Sequence, residues 1–183
     1  PQPAAKPRPP ILIGAHVDAA VERAARIGDG WCITPTSRLD ELEVLIGKFH
    51  AARSAANLPK CEHLVRLYEI TCAEDEETAL RRSAPFLLEK YAAYASWGLP
   101  GLEFKPEDAP EVQLKKLAAD RFGVGTPEQV TEALMAQHRA GITHVTMRMS
   151  WPGMPQDDIL ASMELVGTKV LPEVRRRIAA GEG

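Results

Sequence analysis

The chain has 183 residues, 45% of them hydrophobic and 26% charged, which excludes wholesale disorder and allows one domain or slightly more. A formal net charge of −3 provides no electrostatic footprint for nucleic acid. Three cysteines (Cys32, Cys61 and Cys72) are too few and too scattered for a disulfide scaffold or a four-ligand zinc site, and no apolar run approaches the roughly 18 residues of a membrane span; a reduced, cytoplasmic setting fits them.

Residues 1–10 hold five of the fifteen prolines, and they read as an extended connector feeding a strand, because proline lacks the amide that a ladder needs. A chain that starts on such a connector at Pro1 is expected to be the C-terminal part of a longer protein, the alternative being the processed N-terminus of a complete one. Ile11-Leu12-Ile13 then predicts a buried strand, and the apolar spacing of Asp18 to Ile27 predicts a helix stopped by Gly28-Asp29-Gly30. Trp31 to Thr34 predicts a second strand, Leu39 to about Ala56 a second helix, and Leu64 to Cys72 a third strand. Glu74 to Trp97 reads as a helix with an acidic first turn, closed by Gly98-Leu99-Pro100-Gly101. Residues 98–125 read as an irregular insertion with a short helix at Glu111 to Ala119. Thr126-Pro127-Glu128-Gln129 carries a capping-box start for a helix ending near Gly141. Thr143 to Met149 is the fourth predicted strand. A terminal helix from about Gln156 is expected to break or kink near Pro172 and fray by Gly181.

Strands alternating with helices imply an α/β protein with a parallel sheet and right-handed crossovers. Two architectures fit: a small open doubly wound sheet, or about half of a (β/α)8 barrel, since a whole barrel needs eight strands and about 250 residues. In either, ligands meet the C-terminal ends of the strands. Those ends carry Gly14, Ala15 and His16; Thr34, Pro35 and Thr36; Ile70, Thr71 and Cys72; and Arg148, Met149, Ser150 and Trp151. Small residues at Gly14 and Ala15 expose helix-start amides that suit a phosphate, or simply let the turn pack. His16 could add a donor or be a solvated loop histidine. No Walker motif, complete dinucleotide fingerprint, nucleophile elbow or metal-ligand spacing is present. Glu74 to Glu77 and Arg175-Arg176-Arg177 read as dipole-matched helix ends. Strand ends with donors but no paired carboxylates suit a site whose hard chemistry belongs to a cofactor.

Arg8-Pro9-Pro10-Ile11-Leu12-Ile13-Gly14-Ala15, Ala24-Ala25-Arg26-Ile27-Gly28-Asp29-Gly30-Trp31, Gly125-Thr126-Pro127-Glu128-Gln129-Val130 and Ala140-Gly141-Ile142 together resemble the bacterial-luciferase-like monooxygenase family. Lys90 to Gly98 and Trp151 to Pro155 resemble one branch of it, flavin-dependent oxidoreductases. The resemblance implies a TIM (β/α)8 barrel of which residues 11–183 supply strands five to eight. It implies reduced FMN, or the related deazaflavin coenzyme, as cofactor. The cofactor phosphate then falls at Gly14, Ala15, His16 and Val17, although Ala15 and Val17 depart from the more polar loop of many flavin users. Trp31 matches a position near the barrel mouth, where it would touch the ring or pack the core. Thr34, Arg148 and Trp151 become substrate-side candidates, and the insertion would shape substrate access.

The function so implied is oxidation of a small organic substrate with reduced FMN and oxygen, with reduced flavin from a separate reductase. The alternatives are deazaflavin-dependent hydride transfer, a non-catalytic half-barrel that acts in binding or assembly, and an unrelated phosphate-binding barrel half. Half a barrel leaves strand edges and an inner face uncovered, so the chain is expected to pair with a missing N-terminal half, to pair with itself as a dimer, or to be poorly soluble. Alone it is expected to turn over little or no substrate.

Overall fold

The computed structural model describes residues 4–99, 102 and 108–182. Residues 100, 101 and 103–107 of the predicted insertion therefore lie outside the described residues, as do 1–3 and 183. The elements in chain order are β1 (Leu12–Ala15), α1 (Asp18–Ile27), β2 (Gly30–Ile33), α2 (Leu39–Ala55), β3 (Leu64–Cys72), α3 (Glu76–Ser96), α4 (Pro110–Ala118), β4 (Gly123–Gly125), α5 (Pro127–Arg139), β5 (His144–Arg148), α6 (Gln156–Leu165) and α7 (Leu171–Ala179). The fold is α/β with a parallel sheet: β1 pairs β2, β2 pairs β3 and β3 pairs β4, each in parallel, and β5 also pairs β3.

Two compact units divide the chain, one of residues 1–67 and 140–146, the other of residues 68–139 and 147–183. In the first, Leu12 to Ala15 register with Gly30 to Ile33, and Trp31 to Ile33 with Leu64 to Arg66. Alternation along the strands turns Ile13, Ala15, Trp31, Ile33 and Leu64 toward Val21, Ala24, Leu42, Ile46 and Phe49 of α1 and α2, which make one apolar core. Glycine is required at Gly30, where a Cβ would stand 2.5 Å from that of His63 and 2.6 Å from Leu12 Cδ2. Buried Arg53 of α2 donates to Ala25 O at 3.0 Å and Gly28 O at 3.1 Å, satisfying the carbonyls at the end of α1 with a cation. The proline-rich connector is tied back at Asp29, which accepts from Arg8 at 2.5 Å and from the Ile11 amide at 2.7 Å.

In the second unit, Ile70 to Cys72 register with Gly123 to Gly125. That strand, β4, is one more than the four predicted. Two of its three residues are glycine, so it carries no strand signal of its own and is extended by pairing. The long helix begins two residues later than predicted because the Asp75 side chain accepts from the Thr78 amide at 2.7 Å and caps it. The Thr126–Gln129 capping box forms as expected, with Thr126 N donating to Gln129 Oε1 at 2.8 Å and Gln129 N to Thr126 Oγ1 at 3.3 Å. The terminal helix is interrupted next to Pro172, as expected, but by a change of coil rather than by the proline ending it. A π-helical turn, Val166–Val170, widens the coil just before it, so the proline enters the first turn of α7, where its missing amide costs nothing. The acidic run pairs as well as caps, Glu76 with Lys115 at 2.7 Å and Glu74 with Lys169 at 3.3 Å. Arg176 and Arg177 close on Glu173 at 2.8 and 2.9 Å.

Candidate functional site

In the first unit the strand-end residues gather where β1 passes into α1. Ala15 is buried, and its carbonyl accepts from Trp31 Nε1 at 2.9 Å. Gly14, His16 and Val17 are exposed, and a Cβ at Gly14 would meet nothing within 4 Å, so the backbone there is open to a ligand. Val17 is the extended residue before α1 and offers no side-chain cap; its carbonyl accepts from the amides of Ala20 and Val21, both at 2.9 Å. The start of α1 therefore presents backbone N–H groups and a partial positive charge that no side chain of the helix itself has taken up. This fits a phosphate by its backbone. The Asp18 carboxylate in the same turn opposes an anion, and Lys48 draws it aside at 2.5 Å.

Trp31 is given to the core. It is wholly buried and stacked on Phe49, with ring centroids 5.5 Å apart and planes at 18°. Its link to the junction is the hydrogen bond to Ala15, which fixes the last carbonyl of β1. Thr34 is half-buried and shares a 2.9 Å hydrogen bond with Thr36.

In the second unit β3 and the end of β5 carry a cluster that sequence reading missed. Glu69 is wholly buried, and one of its oxygens, Oε1, accepts from Tyr91 Oη at 3.0 Å, from Arg148 Nη1 at 3.2 Å and from Lys90 Nζ. Its other oxygen, Oε2, is buried without a partner. Burial pulls the Lys90 ammonium below its usual range while the Glu69 hydrogen bond holds it up. Burial first, and then the Glu69 charge, push the Tyr91 phenol well above its usual value, so it stays a donor. Thr71 lies two residues beyond Glu69 on the same face of β3 and is also buried with Oγ1 unpartnered.

Arg148 is the last residue of β5 and is partly open to solvent. Trp151 follows in a turn closed by Met154 N donating to Trp151 O at 3.1 Å, which needs the positive φ of Gly153 (83°). The Trp151 ring packs in a cluster with Tyr91, Phe122 and Met154, and its Nε1 is buried without a partner. Arg148 was legible by its place at a strand end. Glu69 was not, because its three donors lie 21, 22 and 79 residues away in the chain. A separate cleft of about 510 Å³ is lined by Glu74, Arg82, Glu164 and Lys169 and holds none of the predicted site residues. Among the described residues no group of three His, Cys, Asp or Glu could hold a metal ion, and no helix is long and apolar enough to cross a membrane.

Comparison with solved structures finds the same fold in monooxygenases and in a coenzyme F420-dependent reductase. The monooxygenase RslO1 from Streptomyces bottropensis is similar with a TM-score of 0.75 at 23% identity, over 94% of this chain and 50% of that one. The coenzyme F420-dependent tetrahydromethanopterin reductase from Methanopyrus kandleri is similar with a TM-score of 0.60 at 18% identity, over 90% of this chain and 51% of that one. The oxygenating constituent of 3,6-diketocamphane monooxygenase from Pseudomonas putida, solved with FMN, has a TM-score of 0.60 at 16% identity, over 88% and 47%. The chain thus spans about half the length of these proteins. No curated protein sequence matches it. The sequence pattern of the luciferase-like monooxygenases matches residues 1–144, most of the chain, and the chain belongs to the luciferase-like monooxygenase family.

Proposed function

We propose that this chain is the part of a flavin-type oxidoreductase that holds the cofactor phosphate and lines the substrate side. Four of its five strands would be the last four of a (β/α)8 barrel, completed by an N-terminal half or by a second copy, with the short β4 belonging to the insertion. The whole enzyme would oxidise a small organic substrate with reduced FMN and oxygen, the reduced flavin coming from a separate reductase. The observation that carries this is the start of α1, uncapped by any side chain and open around Gly14, in a chain of this family.

The flavin, when bound, supplies the redox chemistry. Backbone amides at Gly14 to Val17 would bind its phosphate, with exposed His16 as a side-chain donor. Trp31 serves indirectly, by fixing Ala15. Arg148 and Trp151 would orient the substrate. The same junction would take the phosphate of a deazaflavin coenzyme, as the F420-dependent protein of this fold suggests.

Calorimetric titration of the chain with FMN and with riboflavin tests the reading. The two differ only by the phosphate, so FMN should bind at least about tenfold more tightly. Asp18→Asn removes the opposing carboxylate and should tighten FMN alone. Equal affinities for FMN and riboflavin would refute phosphate capture, and binding of coenzyme F420 without FMN would move the assignment to the deazaflavin.

A further inference from the structure

Glu69, Lys90 and Arg148 bring one negative and two positive charges together around a wholly buried carboxylate. Lys90 is matched on its own account. Its Nζ bonds Glu69 and lies 5.0 Å from the Tyr91 ring centroid and 5.5 Å from that of Tyr94, within cation–π range. Arg148 is the surplus. It spends Nη1 on Glu69 at 3.2 Å, while a guanidinium offers a planar fork of five N–H donors. Its side chain is 35% exposed, so the cluster opens to solvent at Arg148. Three donors converge on Glu69 Oε1, and two of them are cations, so the cluster carries a net positive charge toward a second anion although Oε2 is without a partner.

An independent observation lies three residues further on. Trp151 Nε1 can only donate, and it is buried without an acceptor. A buried unsatisfied donor is costly, and it is explained when a ligand supplies the acceptor. Both groups stand at the C-terminal end of β5, the end at which parallel α/β sheets take ligands.

We propose that Arg148 seats an anionic group, and that the ligand of this unit is a small organic acid whose carboxylate lies on the Arg148 guanidinium with Trp151 Nε1 as a further donor. The site binds and orients the acid; no bond is made or broken at it. This deepens the function proposed above by naming a substrate class, and it rests on that reading only for calling the acid a substrate.

The test is calorimetric titration of the full chain, in chloride buffer without flavin, with benzoate and with its neutral isostere benzamide. Benzoate should bind at least about tenfold more tightly, the worth of one charge-assisted hydrogen-bond pair. Arg148→Gln should bring benzoate down to the benzamide level with the far-ultraviolet circular dichroism unchanged. Should that variant lose its helical signal, Arg148→Lys keeps a cation on Glu69 and should still weaken benzoate, because the bidentate fork is gone. Equal affinities for the two probes, absence of benzoate binding, or wild-type benzoate affinity in a folded variant overturns the proposal. A chain that takes benzoate but not FMN would keep this site and overturn the flavin reading. A chain that takes FMN while treating benzoate and benzamide alike would do the reverse.

Discussion

Trp31→Phe should destabilise the first unit by about 2–4 kcal/mol, for two separable reasons. The indole N–H that satisfies the buried Ala15 carbonyl at 2.9 Å is lost, and an abandoned buried acceptor costs about 1–3 kcal/mol. The smaller ring also leaves a gap of about 40 Å³ against Phe49, which at about 24 cal/mol per Å³ adds about 1 kcal/mol. Urea unfolding followed by far-ultraviolet circular dichroism reads the sum without depending on the deleted fluorophore. With a slope of about 2 kcal/mol per molar urea, the midpoint should fall by about 1–2 M. Because the lost hydrogen bond ends on the last residue of β1, FMN affinity should fall along with stability, although Trp31 itself is buried. A midpoint within about 0.3 M of wild type would refute the reasoning: the hydrogen bond to Ala15 would then contribute nothing net.

Gly30→Ala should cost about 3 kcal/mol in the same urea assay, since its Cβ would meet the His63 backbone and Leu12 with no room to shift, whereas Gly47→Ala, with nothing within 4 Å in the middle of α2, should gain about 0.5–1 kcal/mol. Burial pushes the Cys72 thiol up to about 11, so at pH 8 a disulfide reagent should leave Cys72 unlabelled until denaturant is added, as peptide mass spectrometry would show; labelling at the rate of the unfolded chain would contradict its burial. Hydrogen bonds from Arg176 and Arg177 hold the Glu173 carboxyl down at about 2, below its ordinary 4.5. A depressed carboxyl stabilises the fold above its ordinary value and loses that contribution as pH falls toward the folded one. Acid should therefore loosen α7 between about pH 4.5 and 2 in hydrogen exchange, and Glu173→Gln should abolish that dependence.

The helices and strands with a clear period were legible. Asp18 to Ile27 and Leu64 to Cys72 form with the predicted bounds because apolar spacing and flanking Gly or polar residues agree there. What escaped was set by partners far away in sequence. Gly123–Gly125 is a strand only because Ile70 to Cys72 hold it. The π-helical turn before Pro172 is how the chain accommodates a residue that reads locally as a stop. The site divides in the same way. Gly14, His16 and Val17 stand exposed at a strand–helix junction and could be found by position, and Trp31 could be placed beside it but not assigned to the core. Glu69 sits mid-strand with no motif around it. Its significance depends on Lys90, Tyr91 and Arg148 arriving from α3 and β5.

The convergence of three donors on Glu69 also constrains how this sequence can drift. Losing Glu69 strands the largely buried Lys90 and deprives Arg148 of its partner, and losing either cation takes a charge-assisted donor from a wholly buried carboxylate. Each such step costs about 3–5 kcal/mol at buried Glu69 and Lys90 and less at part-exposed Arg148, while exchanging the whole set for apolar side chains of similar volume is near neutral or favourable. Neutral descendants therefore lie beyond a valley that one substitution cannot cross. Glu69, Lys90 and Arg148 should be inherited as a block, kept together or lost together, whereas surface pairs such as Lys115 with Glu76 should come and go one residue at a time.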